Sequence, residues 1–422
     1  MSIPKSKSLG RIDTDYSACS VELASRQGWM KANNAILACG TYQLLDPKTG
    51  ERVFPSSGMM TSSTETAGDE EKDEAKKRVG RLYLYEVKRD GEAGEMDMSL
   101  LDHVDTPAIL DLKWIQHGTE NLLVQAAADG TISLYRMDEP GKLRSTGTYP
   151  CPDLPKDETP PLILSLDTST RYTGLDKNAP RISTSQSDGC LTEWNFREDG
   201  TLSRQMAWKA HDFEAWITAY DGWNEHIIYS GGDDACFRGW DRRMLGNCAE
   251  TGSDGIEQPA SFTNRSHDAG VCSIQTHPTN PHILVTGSYD EYVRLWDKRS
   301  MRRPIQEVSV EGGVWRLKWH PHQSNLLLAA CMYGGCRVLS LDGKFMCVQC
   351  MGKRSLTLVY LLPNLLEQAT PSSLEVIRTF EEHESMAYGI DWCLGVPSKS
   401  LGGENGDVIA SCSFYDHILH VW

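Results

Sequence analysis

The chain has 422 residues, 40% of them hydrophobic and 24% charged, with a net charge of −16. That balance belongs to a folded globular chain rather than a disordered or collagen-like one. So much negative charge also argues against wrapping nucleic acid or lying on anionic lipid.

Residues 1–11 are polar, with basic residues and no apolar centre, so no secretory signal is expected there. The first predicted strands are Cys19–Leu23, Ile36–Leu44 and Val79–Val87. Between the last two lies a polar insert over 46–78; its Thr61–Arg78 part has almost no large apolar residues and is expected to be disordered. From there one pattern recurs: an apolar strand, a small-residue run ending near Asp, then an alternating strand ending in Trp or Tyr. Its copies are Leu122–Tyr135, Ile182–Trp194, Ile227–Asp241, Ile283–Asp297, Leu326–Leu339 and Val408–Trp422. Each is preceded by a further short strand: Ile109–Trp114, Leu162–Asp167, Trp216–Tyr220, Val271–Thr276, Val314–Trp319 and Ala387–Trp392. Longer connections are expected at Arg242–Asn264, at 342–375 (with an apolar run, Leu356–Leu366, as an extra strand or helix) and at the Gly-rich 394–407. No stretch approaches the roughly 18 apolar residues of a membrane span.

A strand quartet with short turns cannot bury both of its faces alone. Seven quartets stacked radially bury one another, so the expected fold is an all-β, seven-bladed propeller in one domain. The last copy supplies only three strands, and Gly10–Asp15 is free to supply the fourth and remove the open edge.

The chain has thirteen cysteines, and Cys39, Cys272, Cys331 and Cys412 lie in apolar strand-like runs. They read as buried free thiols of a reducing compartment, the cytoplasm with a nuclear pool allowed. Burial also argues against Cys331 or Cys412 as a nucleophile. The one C-x-x-C, Cys347 to Cys350, has no second pair at zinc spacing, so no metal is expected.

His211, Ser230 and Asp234 have the residue types of a Ser-His-Asp triad, as do His267, Thr286 and Asp290 with Thr for Ser. Trp240 and Trp296 follow the two Asp residues at matching offsets of six. That spacing favours a hydrogen-bonded loop-His, strand-Ser/Thr, turn-Asp, strand-Trp set that pins a blade corner. No G-x-S-x-G elbow, P-loop or dinucleotide fingerprint is present.

The Trp-Asp pairs after these strands, with a His about 20 residues before them, resemble WD40 repeats. In that register one rim gathers His211, Glu214, Trp216, Gly231, Gly232, Asp233 and Tyr289, then Gly312, Gly313, Trp315, Arg316, Tyr388, Tyr415 and His417. Aromatics beside carboxylates suit a quaternary ammonium, and Gly pairs let backbone amides approach an oxyanion. The competing reading is a generic peptide-docking rim.

The strings A-H-D-F-E-A-W-I, Y-S-G-G-D-D, T-G-S-Y-D-E, G-G-V-W-R-L-K-W-H-P and C-S-F-Y-D-H, with A-C-G-T-Y-Q-L in the first unit, resemble the WD-repeat diphthine methylesterase family. The resemblance implies hydrolysis of the methyl ester of methylated diphthine, a modified histidine on translation elongation factor 2, by a monomer using no cofactor. It implies a substrate with a trimethylammonium beside the ester. On that reading Trp216, Trp315, Tyr388 and Tyr415 lie near the cation, with Tyr289 and Arg316 also contacting substrate. Glu214 or Asp233 is the counter-charge, and His417 or His211 the base. Amides of Gly231–Gly232 or Gly312–Gly313 receive the oxyanion. The alternative is a non-catalytic scaffold, in particular a substrate receptor of a cullin–RING ubiquitin ligase bound through an adaptor. Its signal is W-D-x-R at Trp240–Arg243 and Trp296–Arg299.

Overall fold

The computed structural model describes residues 3–24, 34–53, 77–89, 96–117, 120–138, 141–151, 159–169, 180–197, 199–245, 258–342, 373–398 and 406–422. Their regular structure is all β-strand, arranged as seven antiparallel sheets. The first strands of the sheets are Ser17–Leu23, Ile109–His117, Ile163–Thr168, Ala215–Asp221, Val271–Thr276, Arg316–Trp319 and Ala387–Ser398. Each neighbours the next, and the last returns to the first, so the ring is closed around a central bore. The protein is therefore a seven-bladed β-propeller, and we number the blades 1 to 7 in the order of these first strands.

The sequence forms blades because its strands carry apolar side chains on both faces, and only a neighbouring sheet can cover each face. Between blades 2 and 3, for example, Leu122, Val124 and Ile132 pack on Ile163, Leu166 and Ile182. Trp208, Trp240, Trp296, Trp392 and Trp422 are all fully buried.

Blade 7 is completed from the other end of the chain. Gly10–Asp13 pairs with Ile418–Val421, Gly10 opposite Val421 and Asp13 opposite Ile418. The strand stops short of Asp15, which takes a left-handed φ of 61°. Upstream, Lys5 bridges Thr379 of blade 6 in parallel, and the Ser6 amide donates to the Thr379 carbonyl at 2.8 Å.

Strand also occupies parts of the expected connections. Arg52–Val53 pairs with Leu44 and Leu45 inside the 46–78 range, and the outer strand of blade 6 starts at Ser373. In blade 7, strand runs to Ser398 and resumes at Gly406, at both ends of the 394–407 segment. Most of Thr61–Arg78, all of Leu356–Leu366, and Cys347 and Cys350 lie outside the described residues.

Candidate functional site at the channel mouth

The bore is occupied by charge. Arg316 of blade 6 reaches across to Asp111 of blade 2 at 3.2 Å, and Lys113 meets the same Asp111 at 2.8 Å. Lys318 pairs with Glu22 and, at 3.2 Å, with Asp391. Burial would raise the Asp111 carboxyl, but Arg316 and Lys113 bring it down to about 2. Arg316, taken from sequence as a substrate contact, is thus buried and committed to Asp111.

Above this floor the aromatic residues converge. Trp216, on the first strand of blade 4, meets Trp315 edge-on at 5.7 Å between ring centroids. Trp315 in turn contacts Tyr289 at 6.4 Å and Tyr388 at 4.9 Å. The wall continues through Phe414, 5.2 Å from Tyr388, to Tyr415 at 5.1 Å. Blades 4 to 7 therefore supply one continuous aromatic wall, and the five aromatic residues expected at the rim are brought together. Phe414 and Tyr42, whose rings are 6.0 Å apart, were not anticipated. Both sit in motifs the sequence offered, C-S-F-Y-D-H and A-C-G-T-Y-Q-L, where they read as strand residues. With Ser17, Leu44, Val53 and Tyr415 they line a small cavity between blades 7 and 1.

The indole N–H of Trp216 donates to the exposed Asp233 carboxylate at 2.9 Å. A side chain at Gly270 would put its Cβ 2.9 Å from that carboxylate oxygen and 3.3 Å from the indole, so the close fit requires glycine. Burial, with the Tyr289 and Tyr415 phenols next in effect, pushes the Tyr388 phenol well above its ordinary value.

Glu214 lies on the loop leading into Trp216. It is 9% exposed, and its side chain has no ion pair or hydrogen bond to another described residue. Exposed carboxylates of Asp212, Asp268, Glu291, Glu311 and Glu384 surround this mouth on blades 4 to 7.

Other expected residues serve the fold. His211 is fully buried, with Nε2 at 2.7 Å from Ser230 Oγ and Nδ1 at 2.9 Å from Asp234. The Trp240 indole also donates to Ser230, at 2.9 Å. Neither ring nitrogen of His211 is left for water, and burial keeps its pKa low. His267, Thr286 and Trp296 repeat the arrangement at 3.0 and 2.8 Å. Gly231 is held in the ladder, and the Gly232 amide donates to the Cys236 carbonyl at 3.3 Å. A Cβ on Gly232 would fall 2.5 Å from the His211 ring, and one on Gly231 2.6 Å from Val271. Both glycines are explained by packing. Gly312 is crowded by the Cys331 carbonyl, whereas Gly313 lies beside Tyr289 with its amide unbonded to any described residue.

His417 lies on the seam with blade 1 rather than in the aromatic wall. Its carbonyl accepts from the Thr14 amide at 2.8 Å, and burial, then Arg52, lowers its pKa. Cys331 and Cys412 are fully buried, and burial pushes both thiols up. Among the described residues no group of three His, Cys, Asp or Glu side chains is placed to hold a metal.

The family description "WD domain, G-beta repeat" matches residues 259–297. Human diphthine methyltransferase is 37% identical over 91% of this chain and 74% of its own length. The diphthine methyltransferase homolog of Dictyostelium discoideum is 31% identical over 97% of this chain and 96% of its own. The chain belongs to the diphthine methyltransferase family. A chain from the crystal structure of the mitotic checkpoint complex superposes with a TM-score of 0.56 over 100% of this chain and 96% of that one, at 13% identity. That likeness shows the propeller fold alone.

Proposed function

We propose that this protein hydrolyses the methyl ester of methylated diphthine on translation elongation factor 2, releasing diphthine and methanol. Family membership supports a role in diphthamide biosynthesis. The observation that carries the finer reading is the wall of Trp216, Trp315 and Tyr388 with Asp233 hydrogen-bonded to its end. Ring faces attract a trimethylammonium, by as much as about 2 kcal/mol each when water is excluded, and Asp233 supplies the counter-charge.

The relatives' name leaves open which way the methyl group moves. Hydrolysis is favoured because the mouth carries carboxylates and hydroxyls. The described residues contain no glycine-rich strand-to-helix turn of the kind that holds a nucleotide-type cofactor. In this reading Glu214 takes a proton from water as the water oxygen adds to the ester carbonyl, and returns it to the departing methoxide. It is preferred to His211, whose nitrogens are both engaged, and to His417 on the seam.

The test is to incubate the protein with the methylated-diphthine form of the factor and follow the modified peptide by mass. Loss of one CH2 unit is expected, with Glu214→Gln slowing it; an unchanged peptide, or a gain of mass, removes the reading.

A second reading is a ubiquitin-ligase substrate receptor. It is favoured by Arg243 and Arg299, held by Asp241 and Asp297 at 2.6 Å each and displayed on adjacent blades. Adaptor co-purification that is lost in the Arg243→Ala, Arg299→Ala double variant would support it.

A further inference from the structure

Tyr388 is 4% exposed, and its hydroxyl makes no hydrogen bond to another described residue. Three other buried tyrosines bond theirs within the protein. Tyr220 donates to Glu193 at 2.8 Å, Tyr229 to Asp221 at 2.8 Å and Tyr83 to the Thr14 carbonyl at 2.7 Å. The Tyr388 hydroxyl is not among the fully buried atoms that lack a partner, so this oxygen stays accessible and its O–H is left free to donate to a ligand. The Tyr388 ring forms part of the channel-mouth wall between Trp315 and Phe414.

The stretch from Trp216 to Tyr388 carries two chemically different groups. At Trp216, Asp233 sits on the indole and offers negative charge. At Tyr388, the hydroxyl offers a hydrogen-bond donor. Trp315 lies between them, in ring contact with both Trp216 and Tyr388. A side chain with a quaternary ammonium next to an ester has the same polarity. Of the glycine amides offered for an oxyanion, those nearest Asp233 are occupied, Gly231 by the strand ladder and Gly232 by the Cys236 carbonyl, while the unbonded Gly313 amide lies beside Tyr289.

We infer that the Tyr388 hydroxyl hydrogen-bonds the ester carbonyl oxygen and stabilises the oxyanion formed when water adds, while the cation is held at the Trp216–Asp233 end. This assignment rests on the esterase reading. As the water oxygen bonds to the carbonyl carbon, the C=O π pair moves onto oxygen, where the Tyr388 O–H meets it. On collapse that pair re-forms C=O, the bond to methoxide breaks, and methoxide leaves as methanol with the proton taken from water. Burial helps, because a phenol held well above its ordinary pKa stays a donor throughout the working pH range.

The test is Tyr388→Phe, which keeps both ring contacts and removes only the hydroxyl. Loss of an oxyanion donor lowers kcat about 100-fold with KM little changed. Binding of two probes, tetramethylammonium and the methyl ester of 4-trimethylammoniobutyrate, is read in parallel by tryptophan fluorescence. The native protein should prefer the ester, and Tyr388→Phe should lose about fivefold of that preference, the worth of one neutral hydrogen bond. Unchanged kcat with unchanged probe preference overturns the assignment. If the native protein releases no methanol, the esterase reading falls, and the probe pair still decides whether Tyr388 binds an ester carbonyl.

Discussion

The carboxylate of Asp233 has two roles that substitution can separate. It accepts the Trp216 indole N–H at 2.9 Å, and it carries charge at the mouth of an aromatic wall. Asparagine keeps an acceptor for the indole and loses only the charge. Asp233→Asn should therefore leave the Trp216 ring in place and raise KM for the cationic ester about tenfold, the worth of one partly exposed charge contact with an ammonium. An uncharged ester of the same shape should show no such change, and equal effects on both would remove Asp233 from the cation site. At this scale the sequence was a partial guide. Repeat register brought Trp216, Tyr289, Trp315, Tyr388 and Tyr415 to one rim because the loop and turn positions of a propeller are set by topology. The spacing favoured bonds from His211 to Ser230 and Asp234, which the structure shows, and the same histidine offered as a rim base is thereby engaged at both ring nitrogens. Repeat register did not expose the Arg316–Asp111 pair, which joins residues far apart in the chain across the bore.

Blade corners show what a repeat element needs when its pattern degenerates. Blades 4 and 5 keep the full His, Ser/Thr, Asp and Trp set that the spacing suggested. Blade 7 keeps His383, Ser411 and Trp422, with bonds of 2.8 and 2.9 Å that the sequence reading did not single out. In blade 2 the position matching Thr286 and Ser230 is Gln125, opposite Ser133 in the ladder, and Tyr135 stands where blades 4 and 5 have Trp. Gln125 is fully buried, and neither its amide oxygen nor its nitrogen has a partner. An unmet polar group of this kind costs about 1–3 kcal/mol, and an apolar side chain of similar size avoids that cost. Gln125→Leu should therefore stabilise the protein by about 1 kcal/mol in urea unfolding, and a loss of stability would mean that the amide is satisfied after all. The apolar–polar alternation of Leu122–Tyr135 was enough to place the blade. It could not report satisfaction, which depends on the neighbouring sheet.

For the molecule as a whole, the vulnerable place is the seam where blade 7 meets blade 1. It is closed on the outside by Gly10–Asp13 on Ile418–Val421. Inside, the Glu22, Asp111, Lys113, Arg316, Lys318 and Asp391 pairs join blades 1, 2, 6 and 7 across the bore. The outer closure could be foreseen from an unpaired last strand, and the inner one could not. Acid should act on the ring in two steps. Burial, then the nearby His420, holds His383 of blade 7 down at about 3, and burial alone brings His277 to about 4. Both are neutral when folded and take up a proton at about pH 6.5 when unfolded. Their contribution to stability is therefore complete above about pH 6.5 and is lost as pH falls toward 4 and then 3. Asp111, held at about 2, contributes fully above its unfolded value of about 3.9 and loses that contribution only below it. Tm should be level above about pH 7, slope downward from about 6.5 to 4, and fall more steeply beneath that. His383→Gln can still hydrogen-bond Ser411 but does not titrate, so it should make the upper limb shallower, His277 supplying part of what remains, and leave the lower one. If the slope between pH 6.5 and 4 is the same in native protein and variant, histidine burial at the closing blade is not what acid attacks first.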